Sequence, residues 1–227
     1  SLYGAMQVPE AAATFRLADG YGLTAGVARG FRNPTIRELY LFPAPNPKLQ
    51  PESMLNYQAT FSAHPTRSLA LTATGFYADL RDQIATVGRY PKLQLLNTGA
   101  ALNRGFESTA RWSPSRRMQL YSGYAHLRST NLLPLVPAQK FNAGFDYSFH
   151  RVSVNLSAMT IGKRFANAAK TARLGGYTTV SARLSMPVRE GWTVFCAADN
   201  LLGKRYEVLA GYPMPGANAT AGLMVSF

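Results

Sequence analysis

Three histidines, His64, His126 and His150, and a single cysteine, Cys196, are the residues best able to ligate a metal or to act as base and nucleophile. They lie far apart in the sequence, at none of the spacings of a zinc site and with no second thiol for a disulfide. Cys196 therefore reads as a small buried or lipid-facing residue. Gly20-Tyr21-Gly22 could open a phosphate-binding loop, but no helical pattern follows it and no Lys-Ser/Thr pair follows Gly105. There is no nucleophile elbow and no His–carboxylate cluster at metal spacing. The chemistry open to this sequence is binding rather than catalysis, with no cofactor and no metal expected.

Charge narrows the binding class. Twenty-four Lys and Arg against eleven Asp and Glu leave the 227-residue chain at +13. The cations are spread from Arg16 to Arg205 rather than gathered on one segment, so nucleic acid is not the expected partner. A dispersed basic excess suits an anionic membrane surface or an anion-attracting lumen. Hydrophobic content of 47% would build a soluble core, yet no apolar run reaches the roughly 18 to 20 residues of a membrane-spanning helix. Ser1-Leu2-Tyr3-Gly4 has neither the charged nor the apolar region of an export signal, which is expected to be removed or to lie upstream.

The elements that would position binding residues are strands. Leu55, Tyr57, Ala59, Phe61 and Ala63 alternate with Asn56, Gln58, Thr60 and Ser62; Phe141, Ala143, Phe145, Tyr147 and Phe149 alternate with Lys140, Asn142, Gly144, Asp146 and Ser148. The same period of two runs through Val152–Ala158, Val180–Met186 and Leu223–Phe227. Turn residues divide the chain into about eleven strands, at 8–18, 22–30, 52–64, 68–88, 94–112, 117–128, 138–149, 152–163, 176–188, 192–201 and 217–227. Connections at Asp19–Tyr21, His64–Arg67, Ser113–Ser115, His150–Arg151 and Arg189–Gly191 are short, whereas those at about 31–51, 129–137, 164–175 and 202–216 are long.

Short turns on one rim, long loops on the other and one almost purely apolar face describe an all-β fold, an antiparallel transmembrane β-barrel of outer-membrane type with about 10 to 12 strands in this chain. A soluble sandwich would carry Lys, Glu and Thr on its outward face. Trp112, Trp192, Tyr177, Tyr147 and Phe149 fall near strand ends, where aromatic girdles sit. Arg183, Lys163, Lys140, Glu107 and Asp146 fall on polar faces and are expected to form a lumenal ion-pair lattice. Leu223, Val225 and Phe227 resemble the terminal signal read by the barrel insertion machinery.

Five motifs, in order along nearly the whole chain, resemble those of TonB-dependent receptors. They are Gly30-Phe31-Arg32-Asn33-Pro34-Thr35 with Glu38-Leu39-Tyr40 and Asn46–Glu52; Tyr77 with Asp79–Ile84; Asn97 with Asn103–Glu107; Asp199–Tyr206; and Gly211–Gly216 with terminal Phe227. The resemblance implies a bacterial outer-membrane barrel of about 22 strands. Such a barrel holds an N-terminal plug and imports a scarce ligand, such as a ferric siderophore, with energy from TonB. Residues 1–227 correspond to the C-terminal half of that barrel with no plug, so this chain alone is not expected to transport or to meet TonB. Family ligand contacts would fall here on Tyr40, Phe42, Arg89, Tyr90, Arg164 and Tyr212. Outer-membrane lipid and lipopolysaccharide are the expected surroundings. The alternative is a self-sufficient structural barrel or passive pore. An odd strand count leaves three possibilities open: a further strand in residues 1–8, one misassigned strand, or closure by a second copy of the chain.

Overall fold

The computed structural model describes residues 3–41, 44–88, 91–131, 134–167 and 169–226. Two strands, β1 (Glu10–Ala18) and β2 (Tyr21–Arg32), lead to a single helical turn, α1 (Ile36–Tyr40). Then follow β3 (Glu52–Thr66), β4 (Leu69–Val87), β5 (Gln94–Ser115), β6 (Met118–Ser129), β7 (Gln139–Phe149) and β8 (Val152–Ile161). A two-residue ribbon, β9 (Arg164–Phe165) with β10 (Arg173–Leu174), precedes β11 (Tyr177–Arg189) and β12 (Trp192–Asp199). A second ribbon, β13 (Glu207–Leu209) with β14 (Tyr212–Pro213), precedes β15 (Asn218–Val225).

Eleven strands form one antiparallel meander in the order β1-β2-β3-β4-β5-β6-β7-β8-β11-β12-β15. These are the eleven segments expected from the alternation, and residues 3–9 add no twelfth. Because the number is odd, β1 and β15 run the same way, from the long-loop rim to the short-turn rim. Their outer edges have no partner among the described residues.

Register sorts the two faces. Leu23, Phe61, Ala73, Ser108 and Tyr124 lie opposite one another on one face, as do Phe145, Leu156, Ala182 and Ala198. Cys196 shares that apolar face with Leu184 and Ala221. The other face carries Thr14, Thr24, Thr60, Thr74 and Glu107 in one row. Hydroxyl pairs link it: Thr14 with Thr24 at 3.1 Å, Thr60 with Thr74 at 2.9 Å and Thr72 with Thr109 at 2.6 Å. Such cross-strand pairs contribute a few tenths to about 1 kcal/mol each. Aromatic rings on the polar face cover glycines directly across the ladder: Phe76 over Gly105, Tyr121 over Gly144 and Phe195 over Gly222. A Cβ at Gly144 would collide with the Tyr121 ring, which explains a glycine inside a strand.

Several expectations change. Strands β3 and β5 run through Pro65 and Pro114 and turn at 67–68 and 116–117, so they end two and three residues later than expected. Register shifts at Ala63/Thr66 and Trp112/Ser115 absorb the prolines, which cannot donate to a ladder. The expected ion-pair lattice does not form among the described residues. Asp146 instead accepts from Asn155 at 2.6 Å, and the Arg183 guanidinium lies 4.2 Å from the Phe195 ring centroid. Trp112, Trp192, Tyr147 and Phe149 sit on the apolar face at the short-turn rim. Tyr177 sits at the opposite rim and is buried, so it belongs to no girdle.

Candidate functional site

Buried side chains are few in a single sheet, and most of them gather at the long-loop rim: Leu39, Ala44, Leu49, Leu174, Tyr177, Arg164 and Asn200. Two separate clasps account for them.

The first clasp begins where Pro34 restricts Asn33 and ends β2. Thr35 caps α1, its hydroxyl accepting from the Glu38 backbone N–H at 3.3 Å while Glu38 accepts from the Thr35 N–H at 2.7 Å. Five residues cannot hold a helix alone. Arg32 anchors it, donating to Glu38 at 3.0 Å and, through Nε and Nη2, to both oxygens of Glu52 at 2.7 and 2.8 Å. Glu52 also accepts from the Ile84 N–H at 2.7 Å, which ties the group to β4. Hydrogen bonds from Arg32, and lesser ones from Thr35, hold the Glu38 carboxyl well down, to about 2, against the opposing effect of burial.

Farther along the same loop, Asn46 donates to the Leu95 carbonyl at 2.7 Å. Asn97 accepts from the Gln50 N–H at 2.8 Å and donates to the carbonyls of Gln50 and Asp82 at 2.8 and 2.7 Å. Tyr3 donates to the Leu49 carbonyl at 2.9 Å. Leu49, 1% exposed, is the most enclosed large side chain described.

The second clasp turns on two residues. Arg164, 5% exposed, donates through Nη2 to the carbonyls of Glu207 at 2.7 Å and Val208 at 3.3 Å. Its guanidinium carbon lies 5.4 Å from the Tyr177 ring centroid, and Tyr177 stacks on Tyr206 at 4.1 Å. Asn200, at φ 50°, donates to the carbonyls of Lys204 at 2.9 Å and Pro215 at 3.0 Å and accepts from the Lys204 N–H at 2.9 Å. Asn tolerates this left-handed conformation better than most residues.

Of the ligand-contact residues expected, Tyr40 ends α1 on the first clasp and is exposed. Tyr212 is on β14, 69% exposed, and shares the second clasp with Arg164, which is enclosed there by the β13 carbonyls. Phe42, Arg89 and Tyr90 lie outside the described residues. Leu223 and Val225 are on the apolar face of β15, opposite Val194 and Trp192; Phe227 lies outside the described residues. Arg32, Glu52, Asn97 and Asn200 are clasp residues that sequence reasoning does not single out as a site. The Thr35-x-x-Glu38 capping box is the local signal for the first clasp. Together the clasps present aromatic and cationic side chains on fastened loops, a surface suited to binding.

Residues 3–201 match the family model described as TonB dependent receptor-like, beta-barrel. The vitamin B12 transporter BtuB of Photobacterium profundum is 26% identical over 214 residues, covering 88% of this chain and 35% of that protein. Among solved structures, the copper transporter OprC superposes with a TM-score of 0.80 at 22% identity, over 95% of this chain and 39% of that one. The siderophore receptor PirA of Acinetobacter baumannii gives 0.81 at 19% identity, over 97% of this chain and 41% of that one. A mutant of the ferric enterobactin receptor PfeA of Pseudomonas aeruginosa gives 0.80 at 16%, over all of this chain and 41% of that one. The chain thus spans between 35% and 41% of the length of these relatives.

Proposed function

Because the chain belongs to the TonB-dependent receptor β-barrel family of the bacterial outer membrane, we propose that it forms the wall and the fastened loop rim of an importer. In complete form that importer takes up a scarce ligand, such as a ferric siderophore, with energy supplied through TonB. The relatives named above are transporters and receptors rather than enzymes. Residues 1–227 supply eleven strands of the wall, and a plug that meets TonB and further strands would complete the importer. Tyr40, Phe42, Arg89, Tyr90, Arg164 and Tyr212 are the positions through which the wall and loops would meet the ligand, Arg164 chiefly by holding the β13–β14 ribbon that carries Tyr212.

The observation that carries this reading is the direction of the two free edges. Strands β1 and β15 both run from the long-loop rim to the short-turn rim. Each therefore accepts an antiparallel neighbour only from a strand running the other way. Closure on itself, or with a second copy in the same orientation, would force a parallel seam. Left open in hydrocarbon, each unpaired backbone group costs several kcal/mol. Strands supplied by a longer receptor satisfy both edges at once.

The test begins with particle mass in detergent micelles, with bound detergent subtracted. The chain joined to a plug and eleven preceding strands of a family member should then restore ligand uptake in a receptor-deficient strain, and deleting TonB should abolish it. Two-chain particles that make liposomes leak dye would overturn the reading in favour of the passive pore closed by homodimerisation.

A further inference from the structure

We propose that the outward face of β2–β6, at the long-loop rim, is a docking site for the phosphates of an anionic glycolipid of the outer leaflet.

Four arginines share that face. Arg29 lies opposite Leu55, Leu55 opposite Asp79, and Arg81 opposite Ser53, all in the outward-facing row set that includes Tyr57 and Phe61. Arg104 lies directly opposite Arg128, on the face shared by Tyr57, Tyr77 and Phe106. The only carboxylate among them is Asp79, which Arg81 engages at 2.7 Å. Among the described residues Arg29, Arg104 and Arg128 pair with no carboxylate. Like charges directly opposite on a ladder repel, and an anion bridging Arg104 and Arg128 would relieve that repulsion. Guanidinium forks match phosphate oxygens in a bidentate way.

Position supports the lipid as the source of that phosphate. Trp112, on the same face of β5 as Arg104, marks the short-turn boundary. Eight residues separate the two, about 26 Å along the strand at roughly 3.3 Å per residue. A tilt of about 40° turns this into a height of about 20 Å, near the top of an apolar band about 25 Å tall. Arg104 and Arg128 are therefore rooted just below the outer headgroups, within reach of a guanidinium that extends to them. Tyr57 and Tyr77, 6.5 Å apart between centroids, stand in the same ladder row as Arg104 and Arg128, and Phe106 stands two residues below Arg104 on β5; these rings offer aromatic surface to acyl chains. A hollow of about 380 Å³ lined by Arg29, Leu55, Asp79 and Arg81 gives a headgroup somewhere to sit.

The distribution separates this from a generic basic rim. On β7, β8, β11, β12 and β15 the outward rows contain no Lys or Arg; toward the long-loop rim they present Gln139, Thr160 and Thr178. The basic excess on the lipid side is confined to one sector of the wall.

The test uses the protein extracted from the outer membrane in mild detergent, with purified lipopolysaccharide as the probe and bound lipid read by native mass spectrometry. Lipopolysaccharide should remain bound, and a chemically dephosphorylated preparation should bind at least tenfold more weakly. Arg104→Ala/Arg128→Ala should lose tenfold or more in retention, whereas Arg116→Ala/Arg117→Ala at the opposite rim should retain it. Should the alanine pair not assemble, Arg104→Gln/Arg128→Gln and the two lipid preparations on the unaltered protein still decide the question. Equal binding of the two preparations, or full displacement by inorganic phosphate, would overturn the proposal; the latter would make this a site for free phosphate. Either result leaves the transport reading standing, since that rests on uptake.

Discussion

The two clasps solve one problem, holding a long loop against a strand rim, with different partners. In the first, Arg32 meets two carboxylates and the loop is sewn to β4 and β5 through the side chains of Asn46, Glu52 and Asn97. In the second, Arg164 meets backbone carbonyls and a tyrosine face, and Asn200 closes a local ring of backbone bonds. The first fastener is half-exposed at Arg32, where water and salt screen the ion pairs. The second is enclosed at Arg164 and Asn200, so loss of either side chain removes buried donors that screening does not weaken. Exposure, rather than the number of charges, sets how much each clasp is worth.

Replacing Arg164 with Met should sharpen that contrast most. It removes the donor to the Glu207 and Val208 carbonyls and should loosen the 203–215 loop by roughly 3 kcal/mol. Hydrogen exchange would show lost protection there and unchanged protection at 33–50; equal loss at both would dissolve the distinction. Asn200→Ala removes three hydrogen bonds and puts a poorly suited residue at φ 50°, for about 2 kcal/mol. Asn200→Gly should recover up to about 1 kcal/mol of that, because glycine accepts the conformation. If both variants are equally susceptible to limited proteolysis, backbone strain contributes nothing at this position.

On the first clasp, Asn97→Ala cuts three bonds at a more open site and should cost about 1 kcal/mol. The check is faster exchange at 46–51, with 203–215 unaffected. The smallest effect is that of pH. The Glu38 carboxyl is depressed from an ordinary 4.5 to about 2. Its contribution is therefore complete above about pH 4.5 and is lost as pH falls from there through 2. Screening keeps it below about 1 kcal/mol. Arg164 is held by carbonyls, which do not titrate in this range, so protection relative to the intrinsic exchange rate should fall at 33–50 on acidification while the Arg164 contacts persist. Parallel acid sensitivity in the two loops would argue that carboxylates support both.

The strands were legible because a sheet with one apolar and one polar face imposes a period of two on every residue it contains. Turn positions were displaced where Pro65 and Pro114 sit inside bulges, since proline is a turn signal whether or not a register shift absorbs it. The clasps were only half legible. Their residues stood out as motifs, Gly30–Glu52 and Asp199–Gly216, but the motifs do not name their partners. Tyr3 reaches Leu49 across 46 positions and Asn46 reaches Leu95 across 49, and no local pattern encodes such contacts. Arg164 read as a ligand contact because it falls in a long loop, where the resembled family meets its ligands; the β13 carbonyls that enclose it come from another loop 43 residues on.

Alternation and turn residues in the sequence by themselves determined the eleven strands, their faces and the unequal rims, because each depends on neighbours one or two residues away. Which loop residue holds which carbonyl, and which arginines stand together on the lipid side, only the tertiary structure decided. Register across a ladder joins residues from distant strands, and a shift of one position would send every one of them to the opposite face.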